Sequence, residues 1–140
     1  MKKIILSMVL TIVTSITTPA SANINQFAGK WVNEDPNTGG LSSLQIEVRG
    51  RRLRIQAWGK CHPTDCAWGS VQATVHAASV GANPIESAEA ASTLYITSFS
   101  QIIMIIRPID GDRLRVELFT KFTDESGRAD YTRVETFRRS

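Results

Sequence analysis

Histidine and cysteine are scarce in this chain, with two of each among 140 residues. Two histidines leave few bases for a nucleophilic triad, and neither His62 nor His76 lies near a Gly-x-Ser-x-Gly-like turn. Zinc needs at least three protein ligands, and no His-Glu-x-x-His or comparable spacing supplies them. Gly-x-Gly-x-x-Gly and Walker-type loops are missing too, which argues against a nucleotide cofactor. These gaps point to a non-enzyme that uses no metal and no cofactor. Excess charge is also lacking. The formal net charge is +3, but Lys2 and Lys3 account for two of those charges. The rest of the chain is nearly neutral and gives no reason to expect nucleic acid or an anionic membrane as partner. Arg49, Arg51, Arg52 and Arg54 do cluster, and a solvated strand face explains them better than a phosphate site.

The first residues form three zones. Lys2 and Lys3 make a short positive start, Ile4 to Ile16 is mostly apolar, and Ala20-Ser21-Ala22 offers the small-x-small pattern that signal peptidase accepts. The apolar stretch is shorter than the roughly 20 residues a membrane-spanning helix needs. Residues 1–22 therefore read as a cleaved signal peptide with no stable anchor left behind, and residues 23–140 as a single domain, secreted or periplasmic. In that oxidising setting the even cysteine count reads as a Cys61–Cys66 disulfide.

Beyond the signal, no amphipathic helix of about ten or more residues stands out, and period-two alternation dominates. Eight runs show it or come close: Gly29–Asn33, Leu44–Val48, Leu53–Ala57, Val71–Ala77, Thr93–Phe99, Ile102–Ile106, Leu114–Leu118 and Tyr131–Phe137. Ile102–Ile106 is apolar on both faces, so its outer side is either covered or a contact surface. Arg49-Gly50 and Asp110-Gly111 carry hairpin turn chemistry. Ala78–Ala91 is the longest connection and has room for a helical turn around Glu86–Ala91. Short connections require antiparallel neighbours. The expected fold is an all-β, eight-stranded antiparallel up-and-down barrel, which removes exposed edges by closing. A two-sheet β-sandwich is the alternative, because periodicity alone does not report closure. In a barrel, the Glu34–Gly40, Cys61–Cys66, Ser98–Gln101 and Asp124–Asp130 connections all emerge at one mouth, which becomes the candidate functional face.

Gly29, Trp31 and Asn33 resemble the Gly-x-Trp first-strand signature of the calycin group, the lipocalins and avidins. The resemblance covers about seven residues. It implies that Gly29 and Trp31 are core positions, with the Trp packed across the barrel floor and the Asn aimed at a ligand's polar head. The Trp and Ser/Thr pattern of later avidin strands is absent, so biotin is not implied, and later lipocalin motifs are absent as well. Trp58 to Gly69 resembles a stretch of uncharacterised secreted bacterial proteins. The overall pattern is also similar to secreted barrel inhibitors of bacterial metalloproteases, although Asn23-Ile24-Asn25-Gln26 does not match the start of their inhibitory trunk.

Two Trp-Gly pairs flank the Cys61-x4-Cys66 tip. On adjacent strands near the base of a stapled hairpin, Trp58 and Trp68 would meet each other or a common partner, or else cap the end of the barrel. Tryptophan suits sugar faces, aromatic ligands and protein hot spots. The candidate ligand site is therefore Asn33, Trp58, Trp68, His62 and Asp65. It would serve a binding module for a small molecule or glycan. The alternative is a protein-interaction module, such as an inhibitor of an extracellular enzyme or a subunit of a surface assembly. An open cavity favours the first and a packed interior the second. On export, the chain is expected to be cut after Ala22; intact mass and N-terminal sequencing of the secreted or periplasmic protein should find Asn23 first, and a retained Met1 would refute it.

Overall fold

The alternating runs are built as eight antiparallel strands in the computed structural model, which describes residues 23–140. The expected signal peptide, residues 1–22, lies outside the described residues. The strands are β1 (Gly29–Asn33), β2 (Leu41–Arg49), β3 (Arg52–Gly59), β4 (Cys66–Ala77), β5 (Ala88–Ile96), β6 (Ser100–Asp110), β7 (Arg113–Phe122) and β8 (Tyr131–Arg139). Each pairs with the next, and β8 returns to β1 with Trp31 opposite Arg139 and Asn33 opposite Phe137. Closure gives every strand two neighbours, so the sheet is an up-and-down barrel and not a sandwich with free edges.

Two sequence expectations need correction. The fifth strand starts at Ala88, not Thr93, and ends at Ile96, with Ser98 and Phe99 in the following turn. No helical turn forms at Glu86–Ala91, because Ala88 to Ala91 belong to the strand. Alanine has a high intrinsic helix propensity, but here the ladder to β4 wins, placing Ala90 opposite His76 and Ala91 opposite Val75. Small side chains also suit that stretch: Ala88, Ala90 and Ala91 are all buried.

The alternation sends Leu44, Ile46, Leu53, Ile55, Met104, Ile106, Leu114, Val116 and Phe137 inward, each no more than 1% exposed. A cavity able to hold water would leave the side chains around it accessible. An eight-stranded barrel is just wide enough for side chains to fill or for one small ligand; here the near-complete burial of the inward side chains fits a filled interior.

The floor is closed by a 3₁₀ turn, Ile24–Phe27, whose Asn23 side chain caps the Asn25 N–H. Ile24 and Phe27 are buried, and the Ile24 N–H donates to the Ile85 carbonyl in the β4–β5 connection at 2.8 Å. The fully buried Trp31 donates its indole N–H to the Phe27 carbonyl at 2.9 Å. Arg139 lies over the Trp31 ring at 4.2 Å. Its guanidinium donates to the carbonyls of Ala28 at 2.6 Å, Gln26 at 3.2 Å and Gly111 at 3.2 Å. One cation thus ties the N-terminal turn, the β6–β7 turn and the floor tryptophan together. Gly29 makes this possible: its φ is +128°, and a Cβ there would come within 2.7 Å of the Arg139 guanidinium. Trp31→Ala should cost about 3–5 kcal/mol, the usual loss for a large buried aromatic. Arg139→Ala should cost about 1–3 kcal/mol through its charged hydrogen bonds and ring contact. Urea unfolding monitored by circular dichroism reads both, and an Arg139→Ala protein as stable as the parent would show the clamp to be idle.

Candidate functional site

The stapled hairpin joins β3 to β4, with Cys61 and Cys66 disulfide-bonded and their Cα atoms 5.5 Å apart. His62, Pro63, Thr64 and Asp65 are exposed at its tip. The Lys60 ammonium stands 3.9 Å from the Asp65 carboxylate, a surface pair of little energetic consequence. At the base, the register shifts: Ala57 pairs with Gly69 while Trp58 pairs with Ala67, leaving Trp68 as the extra residue. A bulge of this kind reverses side-chain parity along the strand. The two tryptophans therefore take different roles. Trp58 is half-buried on the outer wall, beside Ser43 and Gln45 of β2, Val32 of β1 and Asp65. Trp68 packs against the core and meets Tyr95 edge-on, with centroids 5.6 Å apart. Gly59 gives it room, since a Cβ at that position would fall 2.6 Å from the Trp68 indole nitrogen. Trp68 has the end-capping role, while Trp58 is available from outside.

Asn33 faces inward and is buried. Its amide donates to the Leu41 carbonyl at 2.7 Å, and its oxygen accepts from the Asp35 N–H at 2.9 Å. Both ends of the side chain thus hold the β1–β2 loop in place. That loop folds over the mouth. Glu135, also buried, accepts from the Thr38 hydroxyl at 2.6 Å and from the Leu41 N–H at 3.2 Å, and Arg133 pairs with it at 3.0 Å. The Lys60 N–H reaches the Gly40 carbonyl and the Thr123 N–H reaches the Phe99 carbonyl, each at 2.9 Å. Arg128 stacks 4.0 Å over Phe122 and 5.5 Å from Phe99, and also binds Asp124 at 2.6 Å. The two backbone bonds extend the β2–β3 and β6–β7 ladders by one step and tie neighbouring loops together along the rim. Of the five expected residues, Trp58 and Asp65 line one space on the outer wall, while Asn33 and Trp68 pack into the end of the barrel and His62 stands at the exposed tip, so the five do not share a single site. Among the described residues, no three His, Cys, Asp or Glu side chains group as metal ligands.

A larger open concavity than the one beside Trp58 lies elsewhere. A groove of about 940 Å³ crosses the outer face of β4 to β8. Its apolar floor is a row formed by the register, with Leu94 opposite Ile103, Ile103 opposite Phe119 and Phe119 opposite Thr132. Leu94, Ile103 and Phe119 are 45%, 49% and 42% exposed. Gln72, Thr74, Ser92 and Gln101 line it with neutral hydrogen-bonding groups, and Lys121 and Asp130 add one charge of each sign. The two-sided apolarity of Ile102–Ile106 marked one strand of this surface. Leu94 and Phe119 were not recognisable as its neighbours, because they lie far from it in sequence and only strand register aligns them.

No family model matches this chain, and no curated protein matches it. Among solved structures, a mutant of the fluorescent protein UnaG is similar with a TM-score of 0.37 and 13% identity, over 84% of this chain and 98% of that one. The functional reading rests on the geometry of the chain itself.

Tyr95, on β5, reaches the backbone of β3 and β4 beside the bulge. Its hydroxyl lies 3.1 Å from the Ile55 carbonyl and 3.3 Å from the Gly69 carbonyl, and burial pushes its pKa well above the ordinary tyrosine value of 10.0. The folded protein holds the phenolic proton to higher pH than the unfolded chain does. The resulting stability is complete below about pH 10 and is lost as pH rises above it, where the unfolded state ionises first. In a Tyr131→Phe background, phenolate absorbance from Tyr95 should therefore appear only together with loss of the folded circular dichroism signal. Ionisation of Tyr95 in the intact barrel would contradict this. Tyr95→Phe should cost about 1 kcal/mol, the net value of a buried hydrogen bond.

Proposed function

We propose that this chain is an exported, non-enzymatic binding module that engages another protein through the outer face of β4 to β8. One observation carries this reading: the interior is filled by side chains, while the concave apolar surface of the barrel is on its outside. Half-exposed apolar side chains gathered in one groove, unlike ones scattered singly, mark a candidate contact surface. Covering a half-exposed Leu, Ile or Phe side chain yields on the order of 1 kcal/mol, so the Leu94, Ile103 and Phe119 row supplies a modest anchor. Export is supported by the N-terminal pattern and by the Cys61–Cys66 bond, which an oxidising compartment maintains. It is also compatible with the described residues containing no helix long and apolar enough to cross a membrane.

A second reading keeps a small molecule or glycan as the partner and moves it from the mouth to this groove, whose volume is within the range of ligand sites. A photo-crosslinking amino acid placed at Ile103 or Phe119 separates the two. In the producing cell, both positions should give a defined protein adduct, and the same group at Arg54, exposed on β3, should give none. Equal adducts at Arg54 would place the contact elsewhere. Silence at Ile103 and Phe119, with thermal-shift hits from small molecules that Ile103→Asp abolishes, would favour the second reading.

A further inference from the structure

The outer face of β6 to β8 changes character along its length. Outward positions on β6 run Ile103, Ile105, Arg107, and on β7 they run Phe119, Glu117, Arg115, Arg113. Below the apolar row, arginines face arginines: Arg107 is directly opposite Arg115, and Arg113 is directly opposite Arg138. Like charges directly opposite on one sheet face are unfavourable. Two of the four are partly offset, Arg115 by Glu117 at 2.5 Å and Arg113 by Asp110 at 2.9 Å. Arg107 and Arg138 are exposed and have no carboxylate partner among the described residues. A basic patch that its own carboxylates compensate only in part therefore adjoins an apolar groove on a single wall.

From this juxtaposition we infer that the groove receives a polypeptide segment of the partner protein that carries apolar anchors followed by acidic residues. The apolar side chains lie on Leu94, Ile103 and Phe119, and the carboxylates reach Arg107, Arg115 and Arg138. The inference rests on the protein-binding reading above and adds the chemistry of the partner. Ile103 and Arg107 are four residues apart on one strand, which places the two features about 13 Å apart at the usual rise per residue. The segment thus needs its acids some four residues from its anchor if extended, or about two turns away if helical. Acidic groups satisfy the facing arginines through charge-assisted, often bidentate hydrogen bonds. The shape favours a segment over a membrane. The apolar side chains form the floor of a groove, where a narrow chain can cover them, whereas insertion into a bilayer requires apolar side chains that protrude.

The test is selection of random peptides displayed on phage against the processed, disulfide-intact protein, followed by affinity measurement with synthetic copies of the winners. Selected peptides should combine an apolar core with Asp or Glu on one flank. They should lose affinity by at least about tenfold on Ile103→Asp, the loss expected at a hot spot. Arg107→Glu/Arg115→Glu should reverse the flank preference to Lys or Arg. Arg107→Gln/Arg115→Gln, a milder change, should remove the preference and leave apolar selection intact. Folding of each variant is checked by circular dichroism. Peptides that depend on Ile103 but carry neutral or basic flanks would overturn this inference and leave the protein-binding reading standing. Failure to select any peptide sensitive to Ile103→Asp would overturn both. Co-flotation with phosphatidylglycerol vesicles, abolished by Ile103→Asp, would replace the polypeptide with a lipid surface.

Discussion

An eight-stranded sheet whose last strand hydrogen-bonds to its first encloses a volume of nearly fixed size, just wide enough for inward side chains to fill or for one small ligand. Everything else about this molecule follows from that limit. The β1–β8 ladder is short, running from Trp31 opposite Arg139 to Asn33 opposite Phe137. Arg139 reinforces it from below by holding carbonyls from the N-terminal turn and the β6–β7 turn against the buried indole of Trp31. With the ring closed, the inward positions are taken by Leu, Ile, Val, Met and aromatic side chains that are almost fully buried. The groove proposed for recognition lies on the barrel's outer wall.

The two ends are sealed by different physics. At the floor, burial dominates, with Ile24, Phe27 and Trp31 packed together and one guanidinium distributing its donors among backbone oxygens. At the mouth, polar groups do the work. Asn33 and Glu135 are buried there with their hydrogen-bonding capacity used by neighbouring backbone and hydroxyl groups. Buried polar groups without partners are costly, so these interactions also fix the path of the β1–β2 loop. The mouth thus gains its order from the same residues that, in an open barrel, would have been free to meet a ligand.

The outer wall follows a different rule. Outward side chains do not compete for interior volume, so their chemistry is free to vary with position along the strands. On β5 to β8 it passes from apolar, at Leu94, Ile103 and Phe119, to basic, at Arg107, Arg113, Arg115 and Arg138. Such a gradient contributes little to the stability of the isolated domain: exposed apolar groups gain little from folding, and facing arginines repel. Its physical sense lies in what it can be complementary to.

Much of the fold was legible from residue order because the period-two pattern is a local property, carried by near neighbours such as Leu44, Ile46 and Val48 or Leu114, Val116 and Leu118. Turn residues and short connections then made antiparallel pairing the only route. The alanine stretch from Ala88 to Ala91 was misread because its side chains carry no periodic signal and its intrinsic preference is helical; pairing with β4 overrode that preference. The candidate site was less legible. Trp58 and Trp68 look equivalent in sequence, each followed by glycine beside a cysteine-closed tip, yet one extra residue in β4 sends them to different surfaces. The row of Leu94, Ile103 and Phe119 is spread over three strands, and only their registers bring it together. The chain's order of residues by itself determined strand character, the direction of the connections and the pairing of two cysteines five positions apart. Closure, bulge placement and cross-strand register were decided by tertiary structure alone, because each depends on hydrogen bonds and packing between residues that local pattern cannot relate.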